Sequence, residues 1–316
     1  MAKILGFFFF LFIIIQGVLL FPQNADRLQL HVEKELPRSE RLSDAEQVLF
    51  GAHLVEAKEE NKVWELWAEK AIKSSQAEDW HMNQVKVHFF SKGKRIYTAT
   101  GTEGFVSGDQ KQLEIIGEVQ VTTINGYLLK TEKITYESGA REIFGPLPVE
   151  VIGPKEKKRG RLNLKAQKFR GEIDAEKLFL SGEVRGKKPM SDRRVMKISS
   201  QKAEVEGKSN QADFSGSVRI QVEALFASGP RAYFKFRDGI LNQLYMNGGV
   251  RMKDDLRRGR ADVAQIFFNE DKAIFTGKPR FLDGKNEIEG DRITLLNGGD
   301  RVQVVKLKSK YHNESE

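Results

Sequence analysis

The run Leu113-Glu114-Ile115-Ile116-Gly117-Glu118-Val119-Gln120-Val121 decides the fold. Leu113, Ile115, Gly117, Val119 and Val121 share one parity, while polar Glu114, Glu118 and Gln120 fall on the other. Such alternation marks a β-strand with one buried and one wetted face. The phrase returns at Ile143 to Leu147, Leu180 to Val184, Phe214 to Val218, Met246 to Val250 and Ile274 to Pro279. Its glycines, Gly117, Gly145, Gly182, Gly216, Gly248 and Gly277, lie 28, 37, 34, 32 and 29 residues apart. Between them runs a second phrase, an apolar residue, a spacer and a small residue, at Ala68, Ala99, Thr131, Ala166, Ser200, Ser228, Ala261 and Gly290. Self-similarity at this period implies an elongated repeat structure whose neighbouring units share one core.

The alternation puts each glycine on the inward face, where a missing side chain permits a bend or a close approach. Turn signals separate the phrases at Ser107-Gly108-Asp109, Asn125-Gly126, Ser138-Gly139, Asp238-Gly239 and Asp283-Gly284. A repeat of roughly 30 residues suits two strands of a meander, and closed parallel β-helices use shorter coils, so antiparallel strands are expected. Beyond the N-terminus the only helical suggestion is one turn at residues 43–48.

The first 22 residues are a separate object. Ile4 to Phe21 spans 18 residues with Gln16 its only strongly polar member. That length sits at the lower end of the roughly 17 to 25 residues needed to cross a bilayer. A cleaved signal peptide is the rival reading, but its apolar core is usually only about 7 to 15 residues and is followed by a small-x-small site. Phe21-Pro22-Gln23-Asn24-Ala25 contains no such pair. An uncleaved transmembrane helix is therefore favoured, with Lys3 orienting the N-terminus to the cytoplasm and the large domain exported. Residues 23–45, polar and containing Pro37, read as a periplasmic tether.

There are no cysteines, so disulfides and thiolate metal sites are excluded. The net charge of +8 would suit anionic lipid, acidic glycan or nucleic acid. Basic clusters at Lys155 to Arg161, Arg185 to Lys188, Arg193-Arg194 and Arg257 to Arg260 are assigned to turns, as solvated surface. Nucleic acid is disfavoured, because no aromatic-basic stacking pattern accompanies them. Catalytic chemistry is not found either. His31, His53, His81, His88 and His312 have no ligand spacing. There is no Walker loop, nucleophile elbow or HExxH, and no carboxylate pair is singled out. Trp64, Trp67 and Trp80 could stack on sugar, but aromatic plugs at the end of a β-structure are the simpler reading. No enzyme activity, cofactor or metal is expected.

A family resemblance then emerges from about Leu49 to Lys188. It rests on Ala52-His53-Leu54-Val55-Glu56, Val63-Trp64-Glu65-Leu66-Trp67-Ala68, Tyr97-Thr98-Ala99-Thr100-Gly101, the Leu113 to Val121 run and Gly126 to Glu132 with Ile134 and Tyr136. Pro148-Val149-Glu150-Val151 and Leu162 to Phe169 complete it. This segment, with the short anchor, resembles LptC, the membrane-anchored periplasmic component of lipopolysaccharide export. From about Ile198 to Val305 the chain is similar to LptA and its OstA-like relatives, through Ala212 to Val218, Leu244 to Val250, Ile274 to Gly277 and Ile288 to Leu295. The expected organisation is an anchor (1–22), a tether (23–45), an LptC-like domain (46–188) and an LptA/OstA-like domain (189–316), joined at residues 186–197. The two segments occur as separate proteins in typical members of these families.

The resemblance implies an all-β fold, an elongated open β-jelly-roll or β-taco of antiparallel strands behind an N-terminal transmembrane helix. It also implies that lipopolysaccharide arrives from an inner-membrane ABC transporter and moves on toward the outer membrane. Joining donor and recipient makes the handover intramolecular. Two β-layers open along one side would align inward residues into a groove, where acyl-chain burial contributes about 25 cal/mol per Å². The expected lining is Leu113, Ile115, Val119, Val121, Leu147, Val149 and Val151, then Phe214, Val218, Ile220, Leu244, Val250, Phe275 and Phe281. Any β-sandwich would also use these residues as core, so a non-transporting β-solenoid envelope scaffold stays open as the alternative. Strand edges at Val48 to Glu56 and Val302 to Leu307 are expected to stack on the transporter and on LptA-like or outer-membrane translocon domains.

Overall fold

The computed structural model describes residues 45–310, apart from 60, 75–77, 155–159, 191–193, 208, 210, 238–239, 256 and 284–285. The expected anchor and nearly all of the tether lie outside the described residues. Among those described, no helix is long and apolar enough to cross a membrane. The helical turn expected at 43–48 is not seen where the chain is described, because the first strand already begins at Ala45.

The chain opens with a meander of long strands, β1 (Ala45–Lys58), β2 (Asn61–Ser74), β3 (Trp80–Ser91), β4 (Lys94–Val106), β5 (Gln112–Thr123) and β6 (Leu128–Glu137). Four short strands follow, β7 (Glu142–Gly145), β8 (Val149–Ile152), β9 (Asn163–Ala166) and β10 (Lys168–Glu172). Long strands then resume as β11 (Lys177–Pro189), β12 (Val195–Glu206), β13 (Gln211–Val222), β14 (Leu225–Arg237), β15 (Ile240–Lys253) and β16 (Arg257–Phe267). The described chain closes with β17 (Lys272–Thr276), β18 (Arg280–Asp283), β19 (Asn286–Glu289), β20 (Arg292–Leu296), β21 (Arg301–Val305) and β22 (Lys308–Lys310). The pairings are antiparallel, as expected, and follow chain order. The short strands act in collinear couples. β6 pairs β7 with one end and β8 with the other, and β16 does the same with β17 and β18.

The glycine phrases explain how this ladder becomes two layers. Gly117 and Glu118 both have left-handed backbones, φ +79° and +48°. The same couple recurs as Gly182-Glu183, Gly216-Ser217, Gly248-Gly249 and Gly277-Lys278. Across β5 and β6 the register passes from Ile116↔Lys133 to Val119↔Thr131, so two residues oppose one. That is a β-bulge, which bends its strand and increases its twist. Repeated on β11, β13 and β15, the bulges form a crease where each strand leaves one layer and enters the other. The expected inward position of these glycines needs correction, since Gly182 and Gly248 are exposed and Gly117, Gly216 and Gly277 half-buried. They bend the chain instead of lining the core. Gly145 differs: it is buried, and its missing side chain makes room for the ring of Phe169.

The small phrase serves the same crease from the neighbouring strand. Thr131, Ser200 and Ala261 pair with Val119, Val184 and Val250, each the second residue after a glycine. There a small side chain stands directly across the ladder from each valine. One buried apolar row runs from Ala52 to Ile293 between the layers. The basic clusters also need correction: Arg185 to Lys188 lie on β11 and Arg257 to Arg260 on β16, not in turns. Outward strand positions leave Arg185, Lys187, Arg258 and Arg260 in water at little cost.

Candidate functional site

The space between the layers differs along the chain. Around β1 to β6 it is filled. Trp64, Leu66, Met82, Phe89, Ile115, Ile134 and Tyr136 are each at most 1% exposed. The rings of Phe89 and Tyr136, from opposite layers, are 4.9 Å apart. At the outer margin, away from the crease, polar groups tie the layers together. Arg141 donates to Asp174 through Nε at 3.1 Å and Nη2 at 3.0 Å, and Nη2 also donates to the Phe90 carbonyl. Ser91 Oγ donates to Asp174 at 2.7 Å, and Ser138 Oγ to Glu56 at 2.5 Å. A gap of about 100 Å³ is bounded by Tyr97, Val121, Leu129, Val151, Phe169 and Leu178, and a more open one of about 750 Å³ lies beside Val119, Thr131, Val149 and Ala166. Burial, with Glu176 and Asp174 nearby, pushes the Tyr97 hydroxyl up to about 12. Around Phe89 and Tyr136 this half presents a packed, clasped interior.

From β11 onward the layers enclose a cleft of about 660 Å³. Its walls are apolar, with Met196 of β12, Ile220 and Val222 of β13, Leu244 and Met252 of β15 and Phe281 of β18 among the lining residues. Lys188, Arg194, Lys253, Arg257 and Lys272 also line it, against Glu223, Asp254 and Asp271. Asp254 is held by Arg257, through the backbone N–H at 2.6 Å and the guanidinium at 3.0 Å. Apolar walls under a predominantly cationic set suit a molecule with greasy chains and an anionic head. Methionine suits such a wall, since its flexible thioether adapts to varied shapes.

The expected lining residues divide into groups. Leu113, Ile115, Val119, Val149, Phe214, Val218, Val250 and Phe275 are 0–4% exposed and belong to the packed row. Val121 and Val151 bound the small gap of the first half. Ile220, Leu244 and Phe281 line the large cleft. Leu147 is 39% exposed, in the break between β7 and β8, outside the buried row. The sequence reading omitted Met190, Met196, Leu241, Ile288 and Lys188, which line the cleft as well. For Met196 and Lys188 a signal existed. Met196 and Ile198 share one parity on β12, and Val184, Gly186 and Lys188 share one on β11. No group of three or more His, Cys, Asp and Glu arranged to hold a metal occurs among the described residues.

Residues 10–189 match the family described as "Lipopolysaccharide-assembly, LptC-related". Residues 197–297 match that of "LptA/(LptD N-terminal domain) LPS transport protein". No curated protein matches the chain. Among solved structures the chain is similar to LptH, the LptA homologous periplasmic component of the lipopolysaccharide transport device from Pseudomonas aeruginosa. That similarity has 12% identity and a TM-score of 0.35 over 37% of this chain and 95% of that one.

Proposed function

The chain belongs to the LptC-related lipopolysaccharide-assembly family, with a segment similar to LptA and the LptD N-terminal domain behind it, and from that premise we propose that it is a membrane-anchored, non-enzymatic conduit for lipopolysaccharide. On this reading residues 1–22 anchor it in the inner membrane, with the N-terminus cytoplasmic. An ABC transporter supplies both the lipid and the energy, and the lipid passes from the LptC-like segment (46–188) to the LptA-like segment (189–316). The observation that carries the proposal is the apolar cleft of about 660 Å³ with cations among its lining residues. Acyl chains gain about 25 cal/mol per Å² by leaving water there, and the cations among the lining residues suit an anionic head.

The two ends of the ladder suit a chain of such modules. β1 pairs only with β2, and β21 only with β20, among the described residues. Both leave backbone groups free for strand addition. Exposed Phe50 and Leu49 lie at the first edge, and Val302 and Val305 at the second. Docking on the transporter at one edge and on translocon domains at the other forms part of the proposal.

The packed interior around Phe89 and Tyr136 favours the rival, a scaffold that carries no lipid. Photo-crosslinking in cells separates the two. A photoreactive residue replaces Val121, Val151, Ile220 or Leu244, with outward Glu118 and Ser217 as controls. Lipopolysaccharide adducts at inward positions of both halves, dependent on ATP hydrolysis, are expected. Adducts in one half only would reduce the other to a docking extension. Their absence everywhere, in folded membrane-located protein, would promote the scaffold.

A further inference from the structure

Lys188 is the charged member of the otherwise apolar or small, neutral buried set, 4% exposed among the described residues. Its place follows from the alternation of β11, which turns Val184, Gly186 and Lys188 inward. Gly186 leaves room for Ile198 and Leu164 to pack, whereas Lys188 lines the large cleft beside Met190 and Met196. Lysine is rarely buried this fully. Among its partners is the carbonyl of Gly160, which accepts from Nζ at 3.1 Å. Arg194, from the same β11–β12 hairpin, lines the cleft as well, as do Arg257 and Lys272.

This hairpin is also where the two family matches meet, one ending at residue 189 and the other starting at 197. We infer that Lys188 and Arg194 form a head-group station at that seam, binding the phosphate of a multi-acyl phospholipid-like amphiphile whose chains occupy the cleft. The ammonium supplies a point charge with three donors, and the guanidinium a planar fork matched to phosphate oxygens. The station makes the cleft selective, since an uncharged amphiphile gains the apolar contact but not the charge-assisted bonds. The inference rests on the conduit reading and adds to it a specificity residue at the handover.

The test uses the full chain in nanodiscs of zwitterionic lipid. The probes are a bisphosphorylated, hexa-acylated disaccharide lipid and its dephosphorylated form. Wild type is expected to bind the phosphorylated form about tenfold more tightly, the scale of one charge-assisted contact. Lys188→Met keeps the apolar stem and is expected to abolish that preference, leaving affinity for the dephosphorylated lipid unchanged. Lys188→Arg is expected to retain most of the preference. Exposed Arg194→Gln carries the same expectation with a smaller loss, and keeps the test open should Lys188→Met fold poorly. Equal weakening of both lipids, or of neither, would make Lys188 a tie to Gly160 and overturn the inference. Full displacement of the phosphorylated lipid by inorganic phosphate would overturn the lipid assignment. Failure of wild type to bind either lipid would instead sink the conduit reading.

Discussion

The ring of Phe89, from β3, packs 4.9 Å from that of Tyr136, from β6, although two strands separate them along the ladder. Such a contact requires the ladder to fold over at the crease, where Gly117-Glu118 of β5 bulges. The half of β3 that carries Phe89 and the half of β6 that carries Tyr136 thereby come to face each other. The first half of the chain is held shut by this packing, and most of its measurable stability should trace to it.

Replacing Phe89, which is 0% exposed, by alanine should therefore destabilise the protein by about 3–5 kcal/mol. Leu147, at 39% exposure, should tolerate alanine within about 0.5 kcal/mol. Chemical denaturation of both variants checks the pair, and equal losses would contradict the layered packing.

The crease makes a separate prediction. Gly248 has φ +85°, and a Cβ there would stand 2.6 Å from Cγ of the rigid Pro230 ring. Gly248→Ala should cost about 1–3 kcal/mol, combining left-handed strain with that clash. Gly139, in a turn with nothing within 4 Å, should accept alanine with little change in melting temperature.

At the outer margin Arg141 bridges Asp174 and the Phe90 carbonyl, with 21% of its own side chain exposed. A double-mutant cycle of Arg141→Met and Asp174→Asn should return a coupling of about 1 kcal/mol, kept small because Asp174 itself is 55% exposed. A coupling near zero would show that the clasp does not hold the layers together.

His88 predicts how stability follows pH. Burial, with Arg95 and Lys86 nearby, holds its imidazole below the ordinary 6.5, and its Nε2 is buried with no hydrogen-bond partner among the described residues. The unfolded chain therefore takes up a proton first. Its stabilising effect is complete above pH 6.5 and is lost as the pH falls from there toward the folded value. Glu65, held below its ordinary 4.5 by Lys62 and opposed by burial, with His53 also contributing, loses its stabilisation only at lower pH, so the windows are distinct. Thermal melts from about pH 7.5 to about pH 5.5 should slope downward on acidification, and His88→Phe should flatten them.

The antiparallel meander was legible at Leu113 to Val121, because alternation needs only the chain itself. The crease was not. Inserting a left-handed couple at Gly117-Glu118 leaves Ile115 and Val119 an even number of residues apart, so the pattern reads as one straight strand. Lys188 sits at an inward position of β11, yet its run of basic neighbours reads as a turn. Arg185 and Lys187 alternate with it on the outer face of β11, which hides the one charge that points in.

By itself the sequence determined the strand type, the antiparallel meander, the inward parity of the apolar strand residues and the family, since periodicity and motif order are local properties of the chain. Only the tertiary structure decided which inward residues pack and which line open space. Leu113 and Ile220 obey the same alternation, yet the first is sealed in the packed row and the second borders a cleft of about 660 Å³. The difference lies in what the opposite layer brings within van der Waals reach, and residues so far apart in the chain meet only after it has folded across the crease.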